Sequence, residues 1–388
     1  MNTYTNQHDL LCFSHLRWNF VFQRPQHLMS RFANNRRVFF IEEPLYEAKT
    51  CEYVRHTVCE RTGVNVLTPM LAADSASRNV RRVLESYLES QELNHPIVWF
   101  YSPMWLDSFP ENIRASAIVY DCMDELSLFK DAPSNLSSNE TRLFRMADLV
   151  FTGGVSLFEH KQHLHPRVYP FPSGVDVAHF AQARVICQEP EVQAAIPHPR
   201  LGFAGVMDER MDLPLIAEAA KQRPDWQFVM IGPVVKIQPS ILPRANNLHW
   251  LGMQDYRDLP AFFAGWDVAI MPFAINDSTR FISPTKTPEF LSAGLPVVST
   301  PVRDVVRPYG ELGLARIASS ADEFVSAISE AMAFTMGMKW RERADAFLKT
   351  MSWDAVWSSM DQLVGEVLDS RRARPEAGGH MLGEVARV

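Results

Sequence analysis

Long apolar runs are missing from this chain. The most hydrophobic stretches, such as residues 97–106, reach about half of the roughly 18 to 20 residues that a membrane-spanning helix requires, which excludes integral membrane insertion. Cysteine is scarce too. Cys12, Cys51, Cys59, Cys122 and Cys187 are odd in number and without CxxC spacing, so a disulfide framework and a zinc ribbon are both disfavoured and buried thiols are expected. There is no basic excess: 38 Lys and Arg against 45 Asp and Glu leave a net charge of −7, which argues against nucleic acid as a partner. The opening MNTYTNQHDLLCF has neither a charged leader nor a cleavage pattern, so a cytoplasmic location is expected. What is present is 388 residues of globular composition, 47% hydrophobic and 21% charged, enough for two domains of about 150 to 200 residues each.

Short apolar runs of strand length alternate with segments of helical periodicity, the pattern of a parallel sheet covered by helices on both faces. In the first half the strands are read at 9–14, 37–42, 64–68, 97–101, 118–121, 149–152 and 168–171, with helices at 25–33, 77–91, 135–147 and 156–163. Residues 181–200, AQARVICQEPEVQAAIPHPR, carry scattered Pro and Gln without periodicity and read as a linker. After it the alternation restarts. The expected fold is therefore α/β, with two Rossmann-like doubly wound domains facing a cleft. The expected organisation is a first domain at 1–180, a linker at 181–200, a second domain at 201–350, a closing helix at 351–369 and a disordered tail at 370–388.

The strongest chemical signal is residues 283–300, SPTKTPEFLSAGLPVVST: loop, helix, glycine stop and buried strand. Ser283 and Thr285 lead into a helix N-terminus where backbone N–H groups, the helix dipole and the Lys286 ammonium can meet a diphosphate. Glu289 lies one turn on, on the same helix face, where a carboxylate can accept both hydroxyls of a ribose. Gly205, in GFAGVMDERMDL, is placed to let backbone approach a phosphate.

With these segments the chain resembles the glycosyltransferases of the GT-B fold, in particular the bacterial group 1 type. The resemblance is carried by ADLVFTGGVSLFEHK, FPSGVDVAHF, WLGMQDYRDLPAFFAGWDVAIMPF, PTKTPEFLSAGLPVVST and SWDAVWSSM, in that order along nearly the whole chain. It implies a nucleotide-sugar donor held mainly by the C-terminal domain, with Lys286 on the diphosphate side, Glu289 on the ribose and Arg210 over the phosphates. One departure matters. Retaining hexosyltransferases of this kind show Glu-x7-Glu ending at the ribose acid, and eight positions before Glu289 this chain has Phe281. The glutamate that touches the donor sugar is thus missing, which favours inverting transfer; residues 276–279 are the nearby candidates to replace it.

Inverting transfer needs a base in the first domain. IVYDCMDELSLF ends a strand in Asp121 and adds Asp124 and Glu125; Asp124 is the first choice for the base and Asp121 the second. No His or Cys cluster accompanies these acids, so neither metal nor cofactor is expected, the nucleotide sugar being a substrate. SHLRWNFVFQRPQHL concentrates His15, Arg17, Trp18, Gln23 and Arg24 after the first strand, a candidate platform for a sugar or lipid-linked sugar acceptor. Arg17 and Arg24 with Arg31, Arg36 and Arg37 suggest weak peripheral contact with the inner membrane face. The leading function is sugar transfer in surface polysaccharide assembly. The alternatives are a nucleotide-sugar epimerase of the same fold or a noncatalytic nucleotide-sugar-binding protein.

Overall fold

The computed structural model describes residues 8–49, 51–74, 77–333 and 338–373. Two compact units emerge. The first takes the chain up to Ser127, Asp131–Phe171 and the chain from Val356; the second takes Leu128–Lys130 and Pro172–Ala355.

The first unit is built on eight strands: β1 (Leu10–Phe13), β2 (Val38–Ile41), β3 (Tyr53–Val58), β4 (Asn65–Met70), β5 (Ile97–Phe100), β6 (Ala117–Cys122), β7 (Leu149–Thr152) and β8 (Val168–Pro170). Their order is β3-β4-β2-β1-β5-β6-β7-β8, parallel throughout except for the antiparallel β3/β4 pair. The inner strands are buried along their whole length, as expected when helices cover both faces. Aromatic rings fill the interior, with Phe13 stacked on Phe100 at 5.3 Å and Phe32 edge-on to Trp99 at 5.4 Å. Strand β3, absent from the sequence expectation, is a largely exposed edge strand.

The second unit carries six parallel strands: β9 (Arg200–Ala204), β10 (Gln227–Ile231), β11 (Leu248–Gly252), β12 (Val268–Met271), β13 (Val297–Ser299) and β14 (Ala315–Ile317). Their order is β11-β10-β9-β12-β13-β14. The chain leaves β9 toward one edge and returns to its other side at β12. This places a topological switch point between β9 and β12, where open α/β sheets bind ligands at the carboxyl ends of their strands.

Three expected boundaries change. The first unit ends at Phe171 rather than at 180. The 181–200 segment is packed structure rather than a linker: Gln193 is fully buried, donating from Nε2 to the Phe262 carbonyl and accepting from Trp266 Nε1, and Ala183 and Ile196 belong to the second unit's core. The closing helix runs Trp353–Arg372, starting two residues and ending three residues later than expected, and from Val356 it belongs to the first unit. Trp357 packs on Phe32, Asp361 pairs with Arg36, and Arg371 pairs with Asp148. Positions 370–372 are thus helical, and the rest of the expected tail from 374 lies outside the described residues.

Candidate functional site

Thr285 precedes the Lys286–Ala293 helix, and Gly294, in the left-handed conformation at φ 82°, ends it as a C-cap. Ser283, Thr285 and Lys286 are half-buried around its start. Lys286 Nζ lies 2.8 Å from Glu289 Oε2, so the cation and carboxylate read from the sequence meet on one helix face. Burial pushes the Glu289 carboxyl upward, opposed by Lys286 and by His179. His179, which the sequence reading passed over, donates from Nε2 to the Tyr256 carbonyl at 2.9 Å and stacks on the Tyr256 ring at 4.5 Å. The signal was a lone histidine in FPSGVDVAHF, too weak to single out.

At the end of β9, Gly205 donates its N–H to the Ile231 carbonyl, and its own carbonyl packs against Gly232 so closely that a Cβ there would fall 1.8 Å away. The approach requires glycine at 232, whose φ of 140° also lies in the region that glycine favours. Beyond it, Arg210 grips Asp208 in a bidentate pair, Nη2 to Oδ2 at 2.6 Å, with Asp208 buried. The Arg210 guanidinium is therefore committed to Asp208. In the turn offered as a replacement for the missing glutamate, Asn276 accepts from the Thr279 N–H and Thr279 Oγ1 donates to the Ala274 carbonyl, and Thr279 is buried. Those two side chains maintain the turn, and Phe281 is buried beside it.

In the first unit, the polar cluster after β1 is largely internal. Glu42 organises it, accepting from the Trp18 N–H at 2.7 Å, from Arg17 Nη1 at 3.2 Å and from Thr68 Oγ1 at 2.9 Å. Trp18 is buried edge-on against Phe40 and cannot serve as an exposed acceptor platform. Gln23 begins the Arg24–Phe32 helix, its N–H donating to Gln26 Oε1 in the capping arrangement. His15 is half-buried, and Arg17 keeps partial exposure. Arg24 is fully buried: Nε and Nη2 hold Asp121 at 2.9–3.1 Å and Nη1 reaches the Phe171 carbonyl. This corrects two expectations, since neither Arg24 as an acceptor ligand nor Asp121 as a base is accessible. Burial first, and then the Asp121 charge, push the nearby Cys12 thiol and Tyr101 hydroxyl well upward, so both stay neutral around the pair.

The arginines expected to contact a membrane are likewise engaged. Arg36 is buried against Asp361, Arg37 pairs bidentately with Asp9, Arg17 pairs with Glu42 and Arg31 donates to the His27 carbonyl. Among the described residues no helix is long and apolar enough to cross a membrane, and no group of three or more His, Cys, Asp or Glu is placed to hold a metal.

Asp124 differs from Asp121 in being only half-buried. The turn that carries it is held from both sides. Asp121 is fixed by Arg24; on the other side Lys161 Nζ lies 2.6 Å from Glu125 and 2.7 Å from Glu140, all three nearly out of water. A Cβ on Gly153 would fall 2.2 Å from the Met123 carbonyl, so glycine at 153 permits this close backbone approach. Lys161 and Glu140 gave no recognisable sequence signal, because their partner is distant in the chain.

Residues 198–333 match the family described as glycosyl transferases, group 1. A putative teichuronic acid biosynthesis glycosyltransferase of Bacillus subtilis is 29% identical over 203 residues, which is 47% of this chain; the chain spans about half the length of that curated relative, 50% of it being covered. Among solved structures, sucrose-phosphate synthase from Thermosynechococcus elongatus aligns with a TM-score of 0.68 at 13% identity, covering 94% of this chain and 100% of that one. Anabaena HepE in complex with UDP-glucose aligns with a TM-score of 0.67 at 12% identity, covering 92% and 99%. Trehalose-6-phosphate synthase of E. coli bound with UDP-2-fluoro glucose gives 0.66 at 12% identity, covering 93% and 99%. This chain's two units of parallel sheet and helix thus share the fold of these solved structures, and residues 198–333, which include Lys286 and Glu289, are similar to the group 1 glycosyl transferases.

Proposed function

We propose that this protein transfers a sugar from a nucleotide-sugar donor to a sugar or glycosyl-lipid acceptor in surface polysaccharide assembly, acting in the cytoplasm. The observation that carries this reading is the Lys286–Glu289 pair at the start of a helix within the segment similar to group 1 glycosyl transferases. There an ammonium and helix-terminal N–H groups suit a diphosphate, and a carboxylate suits ribose hydroxyls. The teichuronic acid relative and the UDP-glucose complex of HepE support the polymer and donor classes. No electrostatic membrane contact is included, since its arginines are engaged within the protein.

In the proposed reaction the acceptor hydroxyl attacks the anomeric carbon, Asp124 takes the hydroxyl proton, and the bond from that carbon to the phosphate oxygen breaks. Lys286 stabilises the departing diphosphate. Because one displacement occurs, the anomeric centre inverts. Incubation with a nucleotide sugar alone tests transfer against isomerisation: the donor should be recovered unisomerised, whereas an epimerised sugar nucleotide would replace the transferase reading by an epimerase.

Neither a metal nor a cofactor has a role in this scheme, because the ammonium can neutralise the leaving group. Turnover should accordingly persist in EDTA. Loss of activity restored only by magnesium or manganese would overturn the metal-independent mechanism.

A further inference from the structure

Both carboxylate oxygens of Glu209 are buried, and among the described residues neither receives a hydrogen bond. An unpaired carboxylate out of water is costly, and buried polar groups are ordinarily satisfied. The adjacent Arg210 grips Asp208 bidentately. Glu209 stands in the loop leaving β9, at the switch point of the second unit's sheet. That loop is tied to the one leaving β12: the Ala274 N–H donates to the Arg210 carbonyl at 2.8 Å, and Met211 bridges Phe273. The segment after β12 continues through buried Phe281 to the helix bearing Lys286 and Glu289.

From this placement we infer that Glu209 binds the sugar moiety of the donor, accepting hydrogen bonds from its hydroxyl groups. The inference rests on the donor reading above and extends it from the nucleotide to the sugar. A polyol supplies the O–H donors that a lone carboxylate lacks; among the described residues no group of three or more His, Cys, Asp or Glu is placed to hold a cation, and the adjacent Asp208 is taken by Arg210.

The test is calorimetric titration of wild type, Glu209→Ala and Glu209→Gln with UDP-glucose, UDP-glucuronate, UDP-N-acetylglucosamine and GDP-mannose, each beside its own nucleoside diphosphate. For the sugar nucleotide that wild type binds, Glu209→Ala should weaken affinity about tenfold to a hundredfold, the loss of a charge-assisted contact. Affinity for the corresponding diphosphate should stay within about twofold, and the melting temperature of the unliganded protein should be unchanged or higher. Equal weakening of both ligands, or of neither, overturns the assignment of Glu209. A wild-type protein that binds none of the sugar nucleotides, or a Lys286→Ala variant that binds the diphosphate as wild type does, overturns the donor reading itself.

Discussion

Replacing Asp124 by Asn should lower turnover by roughly two to four orders of magnitude, the usual contribution of a positioned general base, with donor affinity unchanged. The expectation rests on the difference between two aspartates three positions apart. Asp121 has no exposure and spends both oxygens on Arg24, so its proton affinity is unavailable to an acceptor. Asp124 is half-buried on a turn fixed by the Arg24–Asp121 pair before it and the Lys161–Glu125–Glu140 cluster after it. The two variants should therefore fail differently. Asp124→Asn should fold normally and lose turnover. Asp121→Asn leaves a buried guanidinium uncompensated and should cost about 3–5 kcal/mol of stability, read as a lowered urea midpoint. A fully active Asp124→Asn would remove that residue from the mechanism. The anomeric coupling of the product, measured by NMR, decides the stereochemistry: a β-linked product from an α-linked donor is expected, and an α-linked product would contradict single displacement.

Lys286→Ala and Glu289→Ala should each weaken donor binding by about 1.5–3 kcal/mol, or tenfold to a hundredfold, without unfolding the protein. The first removes a cation from a helix start and the second an acceptor for ribose hydroxyls. Their pairing adds a pH dependence with a definite sign. Burial raises the Glu289 carboxyl, and Lys286 and His179 hold it down. The ionised form is the one that accepts from two hydroxyls, so donor affinity should fall as pH falls through this raised value. Without Lys286 the carboxyl rises further, and Lys286→Ala should lose affinity from a higher pH than wild type. Stability runs the other way. A carboxyl raised in the folded state contributes most below the ordinary carboxylate range, and the contribution is lost as pH rises through the folded value. Calorimetric titrations across pH 4.5–8 with both variants check the first effect; coincident pH profiles for wild type and Lys286→Ala would contradict it.

Most of the fold was legible because its inner strands are continuous apolar runs, such as Leu10–Phe13 and Val268–Met271, buried from end to end. Strand β3, YVRHTV, escaped because an exposed edge strand has no apolar face to reveal it. Residues 181–200 read as a linker because Gln193 and Arg184 look like surface residues; Gln193 in fact ties Phe262 to Trp266, and Arg184 pairs with Asp345. In the site, Lys286 and Glu289 were readable since one helical turn puts them side by side. Arg24 and Asp121 were not, because the two lie 97 positions apart and only the sheet brings them together. A dense run of polar residues after β1 suggested a binding platform, yet most of that polarity is consumed internally by Glu42, Gln26 and Asp121. Such partnerships across the sheet leave no periodicity for a sequence to show.

On the proposed reading the second unit holds a sugar nucleotide by its diphosphate and ribose at the start of the Lys286–Ala293 helix. Titrating the protein with the four sugar nucleotides and, in competition, with their nucleoside diphosphates tests it most directly. Saturable binding of at least one sugar nucleotide, displacement by its own diphosphate, and loss of both in the Lys286→Ala, Glu289→Ala double variant are expected. Binding that survives in the double variant at wild-type affinity, or no binding of any sugar nucleotide by the wild-type protein, would contradict it.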